Sequence, residues 1–297
     1  MRYAVRHETE YRYSEPVTLE HASVHLRPRE MPHQQLLESA IDVAPAPLVR
    51  QDHADYFGNP ETRFSIEGPH DRLLVTATSR VDVAQRPAVA LDESLPWETL
   101  RDALRTDVSP AALDAYQFTF DSPLAAGWPD FRPYVTESFA EGRPIFRAAA
   151  DLTRRIHADF TFDPTATDVT TPVGQVFTQR RGVCQDFAHF MIACLRTLGL
   201  PARYVSGYVR TEPPPGQPRL VGADASHAWV SVFDIQTGWI DLDPTNDCIV
   251  GTSHVTVAWG RDYGDVTPVK GVILGGGEHS VEARVDIVPE DEAVATT

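Results

Sequence analysis

The sequence has one lysine, Lys270, among 26 basic residues, and only three cysteines in 297 residues. No apolar run approaches the roughly 18 residues that would suggest a membrane span. Cys184, Cys194 and Cys248 are odd in number, scattered, and form no Cys-x-x-Cys pair. That pattern argues against a disulfide framework and a structural zinc site and fits a lone reactive thiol. Positive charge is scarce: the formal net charge is −16, and the longest basic runs are the pairs Arg154-Arg155 and Arg180-Arg181. Without a basic patch to meet a polyanion, nucleic acid is not expected as a partner. The opening Met1-Arg2-Tyr3-Ala4-Val5-Arg6-His7-Glu8 has no apolar run after its charges. A soluble, cytoplasmic protein with no membrane partner is therefore expected. No Gly-x-Ser-x-Gly elbow or His-Glu-x-x-His helix occurs, and no metal or cofactor is expected. Gly275-Gly276-Gly277 lacks the strand-then-helix setting of a phosphate loop and reads as a hairpin turn.

What is present is enough for a globular protein of one or two domains, with 42% hydrophobic residues. Residues 1–85 show short alternating stretches, such as Tyr11-Arg12-Tyr13 and Leu73-Leu74-Val75-Thr76-Ala77-Thr78, broken by turn signals at Ser14-Glu15-Pro16 and Gly58-Asn59-Pro60. They read as a β-rich N-terminal domain. Residues 86–145 are proline-rich and form a connector with two short helices, Trp97–Leu104 and Pro110–Tyr116, the second capped by Ser109. A core of residues 146–250 follows, with helical spacing from Phe146 to His157 and a short helix from Pro172 capped by Thr171.

The next helix should run from Cys184 to about Leu198, with Phe187, Phe190, Met191, Cys194, Leu195 and Leu198 on one buried stripe and Gly199 as its stop. Ala202–Val209, His227–Phe233 and Trp239–Asp243 read as strands, and Thr211–Gly216 as an exposed loop. Residues 251–288 supply closing strands at Val255–Ala258 and Val281–Val288, and 289–297 an acidic tail.

Chemistry concentrates at three points. Cys184 would open a helix, whose free N–H groups and positive dipole end favour the thiolate, the nucleophilic form. A five-residue loop from Asp234 to Gly238 would set Phe233 opposite Trp239 and Trp229 opposite Asp243, making His227 the diagonal, same-face neighbour of Asp243. Asp241 shares the face but lies farther along the ladder. Cys184, His227 and Asp243 are thus candidates for nucleophile, base and orienting carboxylate in acyl transfer at an amide. A buried structural cysteine and a structural strand histidine are the competing readings. His189, off the face of Cys184, reads as a packing or surface histidine, and Asp186 as a residue favoured by the helix dipole.

The motifs Gly182-Val183-Cys184-Gln185-Asp186-Phe187-Ala188-His189, Ser226-His227-Ala228-Trp229-Val230 and Asp243-Pro244-Thr245-Asn246 resemble those of the transglutaminase-like superfamily, in its bacterial branch of cysteine-protease-like members. His7-Glu8-Thr9-Glu10-Tyr11-Arg12-Tyr13 and Gly260-Arg261-Asp262-Tyr263-Gly264-Asp265-Val266 extend the resemblance to most of the chain. It implies an α+β fold: a papain-like core, with the cysteine helix packed on an antiparallel sheet, behind an N-terminal β-rich domain. It also implies Cys184 as nucleophile, His227 as general base and acid, Asp243 as orienter, and a thioester intermediate on a peptide or protein amide substrate. Water as acceptor would give a protease or amidase, an amine a transglutaminase. A non-catalytic peptide- or protein-binding module that keeps the fold is the alternative.

Overall fold

Alternation at the start of the chain buries Tyr3, Val5, His7 and Thr9 on one face of a long strand, β1 (Arg2–Val24). It is followed by β2 (Gln34–Ala44), β3 (Val49–Ala54) and β4 (Pro60–Val83). Strands β1 and β4 pair antiparallel along most of their length, with register breaks between Arg12 and Leu19, while β2 and β3 take successive halves of β4. The computed structural model describes residues 1–210 and 226–290, so the expected loop 211–216 and the tail beyond 290 lie outside the described residues.

The connector carries α1 (Trp97–Leu104) and α2 (Pro110–Tyr116) as expected, and the Ser109 hydroxyl accepts the Ala112 N–H at 3.3 Å. A helix that the pattern did not suggest, α3 (Arg132–Ser138), precedes α4 (Ile145–Asp159), β5 (Thr161–Phe162) and α5 (Val173–Gln179). Thr171 does not cap α5. The cap position is Pro172, and the Thr171 hydroxyl closes a turn on Asp168, whose N–H it accepts at 2.9 Å.

After β6 (Arg181–Gly182) comes the central helix, α6 (Cys184–Thr197). Its stripe of Phe187, Phe190, Met191, Cys194, Leu195 and Leu198 is buried, with Phe131, Tyr134, Phe160 and Phe177 set around Phe190 at ring separations of 5.0–5.4 Å. Each such large apolar side chain contributes about 1.5–3 kcal/mol, against about 1 kcal/mol for an N-cap. Packing therefore fixes where α6 lies, and its caps fix only where it begins and ends. It ends at Gly199, φ 75°, with Leu200 N–H on the Leu195 carbonyl and Gly199 N–H on that of Arg196, the paired bonds of a Schellman stop.

Helix α6 packs on a second antiparallel sheet made of β7 (Ala202–Val209), β8 (Ser226–Asp234), β9 (Gly238–Asp243), β10 (Cys248–Ile249) and β11 (His254–Gly260), in the order β10-β9-β8-β7-β11. The expected Phe233–Trp239 pairing is present, and the ladder continues to Asp234–Gly238, so the β8–β9 loop is tighter than expected. The chain then returns to the first sheet: β12 (Val269–Gly275) and β13 (His279–Pro289) both pair with β1. Gly275-Gly276-Gly277 is therefore a bend between two strands that follow one another along the same edge, and not a hairpin turn. It passes the break in β1, where a Cβ on Gly275 would lie 2.6 Å from the Pro16 carbonyl oxygen. No helix of the described residues is long and apolar enough to cross a membrane.

Candidate active site

Gly182 and Asp186 set the position of the cysteine. The Asp186 carboxylate folds back over the helix start and accepts the Val183 N–H at 2.8 Å and the Thr167 hydroxyl at 2.6 Å. A Cβ on residue 182 would lie 2.5 Å from that carboxylate, so only glycine admits the cap. Burial pushes the Asp186 carboxyl above its ordinary value, against the pull of these two bonds. Just before it, Arg180 takes the left-handed region, φ 54°, with its guanidinium against the rings of Tyr134, Phe160 and Phe177. Cys184 is the first residue of α6 and half-buried.

His227 lies at the start of β8 and Asp243 at the end of β9, and their diagonal placement closes to a 2.7 Å contact between His227 Nε2 and Asp243 Oδ2. Cys184 is near enough to the same imidazole for its charge to act on the ring. With Nε2 engaged by the carboxylate, Nδ1 is the ring nitrogen left for the sulfur. Burial works against a charged His227 ring, but the bond to Asp243 and the influence of Cys184 and Asp243 prevail, raising its pKa to about 10. Burial likewise works against the Asp243 carboxylate. Hydrogen bonds from His227, His254 and Asn246 overcome that and hold it well below the usual carboxylate range.

The three residues singled out in the sequence thus converge, with His227 bonded to Asp243 and Cys184 near the imidazole. Asp241, on the same face, instead pairs with Arg86 at 2.8 Å and accepts the Ser231 hydroxyl. His189 is a packing residue: it is buried, lies against Tyr204 at 4.9 Å, and accepts the Tyr263 N–H at 3.1 Å through Nε2. Burial lowers its pKa to about 4, so the ring is neutral. Burial also pushes the Cys194 thiol up, and the Cys248 thiol to about 11.

Sequence reasoning missed His254 and gave Asn246 no role. His254 Nε2 lies 3.1 Å from Asp243 Oδ2, and Asn246 Nδ2 donates to the same oxygen at 2.7 Å. Asn246 had a signal, three residues past Asp243 in a turn. His254 had none, because β11 and β9 are separated by two other strands. On a flat sheet three strand spacings would part them by about 14 Å. The side chains meet nonetheless, and beside β11 a Cβ on Gly207 would strike the Val255 carbonyl and the Trp229 ring. His227, Asp243 and His254 offer the nitrogen and oxygen donors of a divalent-metal set, within 4.8 Å of one another. The contacts of 2.7 and 3.1 Å already engage those atoms with each other.

A cysteine at a helix start, near a strand histidine that a carboxylate holds, on an α+β scaffold, is an arrangement suited to thiol chemistry. The comparisons specify the class further. Residues 134–244 match the transglutaminase-like superfamily core, and residues 3–82 match the bacterial transglutaminase-like N-terminal region. An uncharacterized protein of Mycobacterium tuberculosis is 41% identical over 296 residues, covering 97% of this chain and 93% of its own length. A protein-glutamine gamma-glutamyltransferase of Pseudomonas aeruginosa is 34% identical over 123 residues, 35% of this chain and 18% of that protein. A proposed cysteine protease from Cytophaga hutchinsonii has the same fold, with a TM-score of 0.75 at 19% identity over 97% of this chain and 90% of that one. The chain belongs to the transglutaminase-like superfamily, and this membership supports a thiol-dependent activity in general.

Proposed function

We propose that the protein is a thiol-dependent acyl-transfer enzyme that opens a peptide or carboxamide bond at Cys184. The observation that supports this reading is the convergence of Cys184, at the start of α6, on His227, whose ring Asp243 holds at 2.7 Å. The Cys184 thiolate attacks the carbonyl carbon, and the carbonyl π electrons move to oxygen, where the N–H groups at the start of α6 favour negative charge. As the C–N bond breaks, the His227 imidazolium gives its proton to the leaving nitrogen, leaving a thioester and a neutral ring. Water or an amine then attacks the thioester, His227 takes the proton of that nucleophile, and the thiolate departs. Asp243 touches no reacting atom and acts as a positioning residue, holding the ring with one nitrogen toward the sulfur.

The test is incubation of the purified protein with a library of peptides and carboxamides, with and without a primary amine, following ammonia or new amine release. The reading expects turnover that is lost in Cys184→Ala, with an acylated wild-type protein visible by mass. Amine incorporation would assign transfer, and free acid would assign hydrolysis. Turnover that survives in Cys184→Ala overturns the reading. So does a Cys184 that iodoacetamide labels no faster than free cysteine and no faster than in His227→Ala, the outcome expected of a binding module.

A further inference from the structure

Asp243 is held by more donors than a positioning carboxylate requires. Its Oδ1 accepts the backbone N–H groups of Thr245 at 2.9 Å and Asn246 at 3.2 Å, which close the turn after β9. Its Oδ2 meets three donors: His227 Nε2 at 2.7 Å, Asn246 Nδ2 at 2.7 Å and His254 Nε2 at 3.1 Å. The Asp243 carboxylate can only accept, so a ring proton of His254 sits on Nε2 and points at it, while Nδ1 lies 3.1 Å from the Ser253 hydroxyl. His254 is 3% exposed, and the Trp229 ring stands edge-on to it at 5.3 Å, so the imidazole has no room to swing away.

We propose that His254 is a second positioning residue of this site, acting through Asp243 on His227; the inference rests on the acyl-transfer reading above. A carboxylate oxygen has about two lone pairs, and three donors on Oδ2 must share them. His254 therefore fixes the carboxylate's rotation and draws part of its negative charge away from His227. Among the described residues, the groups facing His227 are Cys184 from α6, Asp243 from the end of β9, Asn246 from the turn after it, His254 from β11, and Trp229 beside it on β8. Of these, His254 is a donor that can be removed without altering Cys184, His227 or Asp243 themselves. Without it, Asp243 binds the imidazolium more tightly, and His227 releases its proton to the leaving nitrogen less readily.

The test compares His254→Ala, His254→Gln and Ser253→Ala with the wild type by NMR titration of the His227 ring and by steady-state kinetics. Glutamine presents an amide N–H close to where Nε2 stood. In His254→Ala the His227 midpoint should move upward and kcat should fall by about tenfold, the effect of one lost hydrogen bond, with KM within about twofold. His254→Gln should restore both, and Ser253→Ala should shift both in the same direction by less. An unmoved His227 midpoint in folded His254→Ala, or a kcat lowered only in proportion to folded protein, overturns the proposal. The titration needs no substrate, so it still reads the His254–Asp243–His227 coupling if Cys184→Ala shows the acyl-transfer reading to be wrong.

Discussion

The His227 ring is held in its charged form far beyond the ordinary range of an imidazole. Its pKa rises from 6.5 to about 10, so the imidazolium persists through neutral pH and is lost as pH rises through about 10. Turnover that needs this proton on the leaving nitrogen should show an alkaline limb near 10, belonging to the coupled pair and read from a kcat/KM profile. A limb near 6.5 would mean that the ring does not hold the proton. The stability sign agrees: the ring's contribution is complete below about 6.5, its unfolded value, and disappears as pH rises through about 10. Asp243→Asn should keep the fold but lower kcat by about 10⁴, because the amide favours the wrong imidazole tautomer. Measuring kcat together with thermal melting separates that effect from unfolding. At this scale the sequence was most legible, since residue type and strand register alone paired His227 with Asp243. Asp186 reads from sequence as a dipole-favoured residue with a supporting role beside the thiol left open, because its back-bond to Val183 depends on the space left by Gly182.

At the scale of elements, α6 links packing to chemistry. Gly182→Ala would force the Asp186 carboxylate off the helix start, so the protein should lose about 1–2 kcal/mol, the worth of a strong N-cap. Iodoacetamide should also label Cys184 more slowly, since the first turn that carries the sulfur would shift. Denaturant melts and alkylation rates check the two consequences separately; unchanged rates would show that the cap serves stability alone. The buried stripe of α6 and the strands β7 to β9 followed from periodicity, because their faces are set by one core. The bend at Gly275-Gly276-Gly277 did not, since two strands that flank a turn usually pair with each other and these pair with β1. Thr171 failed as a cap for a related reason: its hydroxyl is committed to Asp168.

Across the whole molecule, two buried neutral histidines make the fold sensitive to acid. His7 bridges the two sheets, with Nδ1 3.0 Å from the Tyr208 hydroxyl, and His189 locks α6 to the Tyr263 backbone. Burial lowers each pKa from 6.5 to about 4, so below 6.5 the unfolded chain takes up protons that the folded chain refuses. Their contribution is complete above about 6.5 and is lost as pH falls toward about 4, roughly 3 kcal/mol each at most. Denaturant melts between pH 7.5 and 4.5, in steps of about half a unit, should show that decline. A His7→Gln, His189→Gln double variant should show a flatter dependence, whatever its absolute stability; an unchanged slope would assign the acid response to other groups.

The sequence by itself determined which side chains are the candidates for the chemistry and the local elements that present them, because a helix start, a strand period of two and a short loop are set by neighbours along the chain. Tertiary structure alone decided what surrounds Asp243. His254 arrives from a strand three places removed in the sheet, and no spacing along the chain encodes that meeting. Nor could any spacing show that the last strands would complete the first sheet, since that pairing is chosen by whichever edge β1 leaves open after the whole chain has folded.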